Sequence, residues 1–76
     1  MREMEFKMER EGLLNKGDEV TVTEGVLPTS FYYTINPSLA MSGNFTGRER
    51  LTNLKGIVKS IEKRPRGYYV IVSFDE

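Results

Sequence analysis

The residues best suited to chemistry lie in the last third of the chain, where basic side chains precede two tyrosines. Residues 48 to 66 hold seven basic and two acidic side chains, which gives this segment a net charge of +5. Tyr68 and Tyr69 follow directly. Single-stranded nucleic acids are bound by this combination, because Lys and Arg contact phosphates while aromatic rings stack on bases. The pattern predicts a weak single-stranded RNA or DNA site at Lys55, Lys59, Lys63, Arg64, Arg66 and Tyr69.

Catalytic and metal chemistry lack their usual residues. The sequence has no His and no Cys, so the commonest general base, the commonest soft nucleophile and the usual zinc ligands are missing. No glycine-rich phosphate-binding or dinucleotide-binding motif is present. The adjacent acids Asp18-Glu19 and Asp75-Glu76 are typical of solvated surface charge. We therefore expect a binding module and not an enzyme, with no cofactor, no metal and no small-molecule ligand.

The basic side chains need an element to position them, and the last residues predict a β-hairpin. Both arms are rich in β-branched and aromatic residues, which suit a pleated sheet. Between the arms, Arg64-Pro65-Arg66-Gly67 has the composition of a turn. Pro65 presets the φ of a turn position, and Gly67 can adopt the positive φ that follows.

The hydrophobic pattern also predicts the register of this hairpin. Regular pairing outward from the turn would place Val58 opposite a serine. One extra residue on the first arm, a β-bulge at Lys59-Ser60, instead places Val58 opposite Val72 and Gly56 opposite Phe74. The predicted core face then consists of Val58, Ile61, Val70, Val72 and Phe74.

Two further segments of the first half alternate in polarity. Residues 3 to 9 place Met4, Phe6 and Met8 on one side, which favours a strand, although Met, Glu and Lys also favour a helix. Residues 18 to 24 predict a second strand with two inward valines.

The middle of the chain, about residues 26 to 54, reads as an insert, and residues 26 to 47 hold no charge at all. A short strand is predicted at its aromatic run. Asn36 to Gly43 predict a short helix, since Asn36 can cap it, Pro37 fits its first turn and Gly43 can end it. Thr46 to Glu49 match a capping box, which predicts a second helical turn up to Thr52.

The outer face of the hairpin is apolar, because Ile57, Tyr69 and Ile71 point away from the predicted core. Such a face needs a cover. The arrangement that we favour is an insert folded back over it as a lid. The alternative function is protein binding or homodimerisation, with contacts from Phe31, Tyr32, Tyr33, Ile57 and Ile71.

Three motifs in order carry a family resemblance. Residues 14 to 22 (LNKGDEVTV), 56 to 61 (GIVKSI) and 68 to 75 (YYVIVSFD) resemble an SH3-like barrel of the KOW type. They also resemble small uncharacterised bacterial and phage proteins of that fold. The resemblance covers residues 14 to 24 and 54 to 75. It implies a mainly β fold, one small SH3-like antiparallel barrel over residues 1 to 76 that carries the long uncharged insert.

Charge and hydropathy set the expected environment. Eleven basic and eleven acidic side chains cancel, so any nucleic-acid affinity should be low. No stretch approaches the roughly 20 apolar residues of a membrane span. The charged first residues lack the apolar region of a signal peptide. We expect a cytoplasmic protein whose partners are nucleic acid, another protein or a second copy, and not a membrane.

Overall fold

Six antiparallel strands form a closed barrel in the computed structural model, which describes residues 2–10, 12–37 and 39–76. Around the barrel the order is β1-β4-β3-β2-β5-β6, and β6 pairs with β1 to close it. No helix in these ranges is long and apolar enough to cross a membrane. The mainly β prediction is confirmed. The strands are β1 (Arg2–Met8), β2 (Glu19–Val26), β3 (Phe31–Ile35), β4 (Ala40–Ser42), β5 (Lys55–Arg64) and β6 (Gly67–Phe74).

The core follows the two-residue alternation of the strands. Met4, Phe6 and Met8 of β1 are buried, so the first segment is a strand and the helical alternative is excluded. Val20 and Val22 of β2 are buried as predicted. The core also takes Leu14, Tyr33, Ile35, Ala40, Leu51, Val58, Val70, Val72 and Phe74.

The predicted register of the hairpin is confirmed. Val58 faces Val72, Gly56 faces Phe74, and the ladder shifts between Val58 and Ser60, as a bulge requires. Gly67 has a φ of +138° at the turn. A β-carbon on Gly56 would lie 2.6 Å from Val72 Cγ1, so only glycine lets the two strands approach here.

Ile61 is the one member of the predicted core face that is not buried, since 38% of its surface is exposed. It faces Val70, which β1 covers on its other side through Phe6. Within residues 2–10, 12–37 and 39–76, no strand pairs with β5 beside Ile61 on the side away from β6. The ladder of β2 with β5 ends at Ile57, and in the described ranges β5 pairs only with β6 beyond Val58.

The helix predicted from Asn36 to Gly43 is wrong, because the chain forms β4 there. Ser38, inside that predicted helix, lies outside the described residues. Ala40 is fully buried and pairs with Met8 of β1 and Ile35 of β3. A helix of two turns is marginal by itself, whereas β4 gains two strand neighbours and a place in the core.

The second predicted helical turn is shorter than expected. Only Gly47–Glu49 form a 3₁₀ turn, and the Thr46 amide donates to Glu49 Oε1 at 3.3 Å. Arg50 is already extended. Leu51 is buried and its amide donates to a tyrosine hydroxyl of β3. These contacts require an extended backbone and end the helical turn before Thr52.

The insert is not a lid. Its aromatic run is β3 and the following segment is β4, and together they complete the barrel wall between β2 and β1. Tyr33 and Ile35 therefore point into the core. The outer face of the hairpin is left without that cover, and Ile57 is 50% exposed.

Candidate nucleic-acid interface

The basic tip of the hairpin is a narrow two-stranded ribbon. The two residues Pro65 and Arg66 connect the final pair, Arg64 with Gly67, and the pair before it is Lys63 with Tyr68. The ladder of β1 with β6 ends one step earlier, at Lys7 and Tyr69. The last two residue pairs of the hairpin and its turn therefore lie beyond the last residue pair of β1 with β6.

The two tyrosines lie on opposite faces of this ribbon. Tyr68 shares the inner face with Val70 and packs, partly buried, against the core. Tyr69 lies on the outer face and is also partly buried. Each ring carries a cation, because Lys63 Nζ is 5.9 Å from the Tyr68 ring centre and Arg64 Cζ is 4.6 Å from that of Tyr69.

Two of the five predicted cations are neutralised by acidic side chains. Lys59 pairs with Glu3, and Arg64 pairs with Glu5. Arg64 Nε also donates to Glu62 Oε1 at 3.0 Å. The acidic partners on β1 are far from the +5 segment in the sequence. The sequence therefore did not predict that they neutralise Lys59 and Arg64.

Three exposed cations surround the tip without an acidic partner. Lys7, Lys63 and Arg66 form no ion pair with any side chain in the described part of the chain. The sequence did not predict Lys7 as part of the tip, yet its Cε would lie 3.3 Å from a β-carbon on Gly67. Its place at the tip follows from the pairing of β1 with β6, which the sequence did not predict.

The predicted nucleic-acid residues thus divide into two groups. Lys63, Arg64, Arg66 and Tyr69 come together at the tip, where a shallow cavity of about 370 Å³ is lined by Arg64, Arg66 and Tyr69 with Glu5 and Pro65. Lys55 lies apart from them, because it is the first residue of β5 and Arg64 is the last. Lys59 lies between them in its pair with Glu3.

The candidates for protein binding are placed less favourably. Tyr33 is fully buried and cannot reach a partner while the barrel is closed. Phe31 is partly buried under Arg50, whose Cζ is 4.7 Å from the ring centre. Tyr32 lies over Gly25. Ile71 is partly buried, which leaves Ile57 as the exposed member of this set.

A polar network fixes the loop before β5 to the barrel. The Tyr33 hydroxyl donates to Glu24 Oε2 at 2.8 Å and accepts from the Leu51 amide at 2.7 Å. Arg50 holds the same carboxylate through Nε at 2.9 Å and Nη2 at 2.8 Å. The Arg50 hydrogen bonds lower the pKa of Glu24, and burial raises the pKa of the Tyr33 hydroxyl. This network belongs to the scaffold, because the loop is tied to β2 and β3 and not to the tip.

Comparisons of the chain with protein-family models, with curated proteins and with solved structures found no match. The structure itself shows a small antiparallel barrel of six strands. Its SH3-like, KOW-type identity stays a prediction.

Proposed function

We propose that this chain is a non-catalytic nucleic-acid-binding module that uses the tip of the β5–β6 hairpin. The observation that carries the proposal is the group of exposed cations Lys7, Lys63 and Arg66 around one turn, without acidic partners in the described ranges. Phosphate groups are the ligands that such a group attracts. The resemblance to KOW-type SH3-like barrels and the expected cytoplasmic location agree with this role.

The charge balance limits the affinity that the tip can supply. The whole chain has no net charge, so attraction from a distance is weak. Three phosphate contacts give non-specific binding, with a Kd on the order of 10⁻⁴ to 10⁻⁶ M. The affinity should fall steeply as the salt concentration rises, because each contact releases counterions.

Charge reversal at the tip should remove this binding. We expect Lys63→Glu combined with Arg66→Glu to weaken the binding of a fluorescently labelled oligonucleotide at least about tenfold, since two of the three unpaired cations become repulsive. Fluorescence anisotropy at low salt measures the affinity, and circular dichroism checks that the barrel stays folded. Both residues are exposed and neither is part of an ion pair in the described ranges, so the fold should be kept.

The matched control is Arg48→Glu combined with Lys55→Glu. It makes the same charge change with one Arg and one Lys, and both are exposed and away from the tip. We expect a loss of less than about threefold, which bulk charge alone explains. An equal loss in both double variants, or no binding by the unaltered chain, would refute the tip as the interface.

Homodimerisation is a second candidate function, favoured by the outer face of the hairpin. Ile57 is 50% exposed there. Glu19 and Asp75 outnumber Lys55 around it at one end of the face, and the basic tip lies at the other end. A second copy rotated by 180° would place the acidic end of one copy against the basic tip of the other. Sedimentation velocity decides the matter, because a dimer that Ile57→Lys dissociates supports this candidate and a monomer opposes it.

A further inference from the structure

The two tyrosines bear on the class of nucleic acid that the tip can take. Proteins that bind single strands place aromatic rings in a row along one groove, so that successive bases stack. Here Tyr68 and Tyr69 point to opposite faces, both are partly buried, and each ring already carries a cation. The tip therefore offers no continuous stacking surface to a single strand.

The dimensions of the ribbon suit a groove. The pair of Arg64 with Gly67 and the turn lie beyond Tyr68, which packs against the core, and this free end measures about 7 Å at roughly 3.3 Å per residue. The two backbones of the ribbon lie about 4.8 Å apart. The major groove of B-form DNA is about 12 Å wide and about 8.5 Å deep, and it admits a two-stranded ribbon.

The cations also lie on both faces of the ribbon. Lys63 is on the inner face with Tyr68, and Lys7 is on the outer face beside Tyr69, its partner in the pairing of β1 with β6. Arg66 lies in the turn, and Lys7 flanks it from β1. A ribbon inside a groove meets one phosphate backbone on each side, so charges on both faces can be used at once. A single strand lying along one face could use only part of them.

We infer that the tip of the β5–β6 hairpin inserts into the major groove of duplex DNA, an inference that rests on the proposed function. Its cations contact the phosphates of both strands. A-form RNA has a deep and narrow major groove, so an RNA duplex of the same sequence does not admit the ribbon.

Three labelled ligands of one sequence test this inference: a DNA duplex of about two turns, one of its single strands and the matching RNA duplex. At low salt we expect the DNA duplex to bind at least about tenfold more tightly than the other two. The logarithm of its affinity should fall with the logarithm of the salt concentration with a slope of about −2.7, for three phosphates at −0.9 each.

Tyr69→Leu separates groove insertion from base stacking. Leucine keeps an apolar contact on the outer face but cannot stack on a base. We expect the affinity for the DNA duplex to change less than about threefold, whereas loss of a stacked base would cost about fivefold or more. A larger loss with this variant would overturn the inference.

The outcomes separate the inference from the proposed function. Equal or tighter binding of the single strand, or equal binding of the RNA duplex, overturns groove insertion and leaves a nucleic-acid module. No binding of any of the three ligands overturns both. Both are supported if the chain prefers the DNA duplex, the Lys63→Glu, Arg66→Glu variant loses this preference and the Arg48→Glu, Lys55→Glu variant keeps it.

Discussion

Replacement of Tyr33 by Phe is expected to lower the free energy of unfolding by about 1–3 kcal/mol, the range for a buried group that loses its hydrogen-bond partner. The ring is fully buried, so its hydroxyl is shielded from water. Its loss leaves the Leu51 amide without an acceptor and removes one donor to Glu24. Urea denaturation followed by circular dichroism measures the change.

The neighbouring tyrosine is the matched control for this prediction. The Tyr32 hydroxyl has no hydrogen bond to any residue in the described ranges, and the same chemical change can be made there. We expect Tyr32→Phe to alter the free energy of unfolding by less than about 0.5 kcal/mol. Equal losses in the two variants would mean that the network does not hold the loop.

Glu76→Gln has the second large expected effect, because this carboxylate ties the end of β6 to the loop before β5. It accepts hydrogen bonds from the Thr52 amide at 2.8 Å, the Thr52 hydroxyl at 2.6 Å and the Asn53 amide at 3.0 Å, and it pairs with Arg2. Glutamine keeps the shape but loses the charge. With an allowance for solvent screening, we expect a loss of roughly 1–2 kcal/mol at neutral pH.

The pH dependence gives this prediction its sign. Hydrogen bonds from Thr52 and Asn53 lower the pKa of Glu76 from 4.5 to about 2. A lowered pKa in the folded state contributes stability that is complete above the unfolded value and is lost as the pH falls toward the folded value. The difference between the unaltered chain and Glu76→Gln should therefore shrink from about pH 4.5 to about pH 2.

Denaturant unfolding at neutral pH and at two acid values within that window measures this trend. The control is Asp75→Asn, since Asp75 is exposed and its side chain makes no hydrogen bond or ion pair in the described ranges. It should change the free energy of unfolding by less than about 0.5 kcal/mol. A Glu76→Gln deficit that stays constant across the window would show that the charge does not stabilise the fold.

The hairpin was predictable because its information is local. The turn residues fix the loop, and the alternation of apolar residues requires one extra residue to keep Val58 opposite Val72. The helix predicted from Asn36 to Gly43 was wrong for the opposite reason. Its capping signals are local, but its structure depends on pairing with β1, more than thirty residues earlier. The predicted burial of Ile61 was wrong because it depends on where the pairing of β5 with β2 ends.

The candidate site was predictable in part on the same grounds. Lys63, Arg64 and Arg66 are adjacent in the sequence, so their grouping at the turn follows from the hairpin itself. The contributions of β1 could not be foreseen, since they depend on its register with β6. That register adds Lys7 to the tip and also brings Glu5 to Arg64, which removes part of the apparent charge.

The most direct test of the proposed interface is an NMR titration of the chain, labelled with ¹⁵N, with duplex DNA at low salt. Insertion of the tip predicts that the amides of Lys7, Lys63, Arg66 and Gly67 shift first, and that those of Lys55 and Ile57 stay in place. The shifts should reverse when salt is added, because phosphate contacts are lost. Shifts centred on Ile57 and Lys55, or no shift at a DNA concentration of about 1 mM, ten times the weakest expected Kd, would contradict a binding site at the hairpin tip.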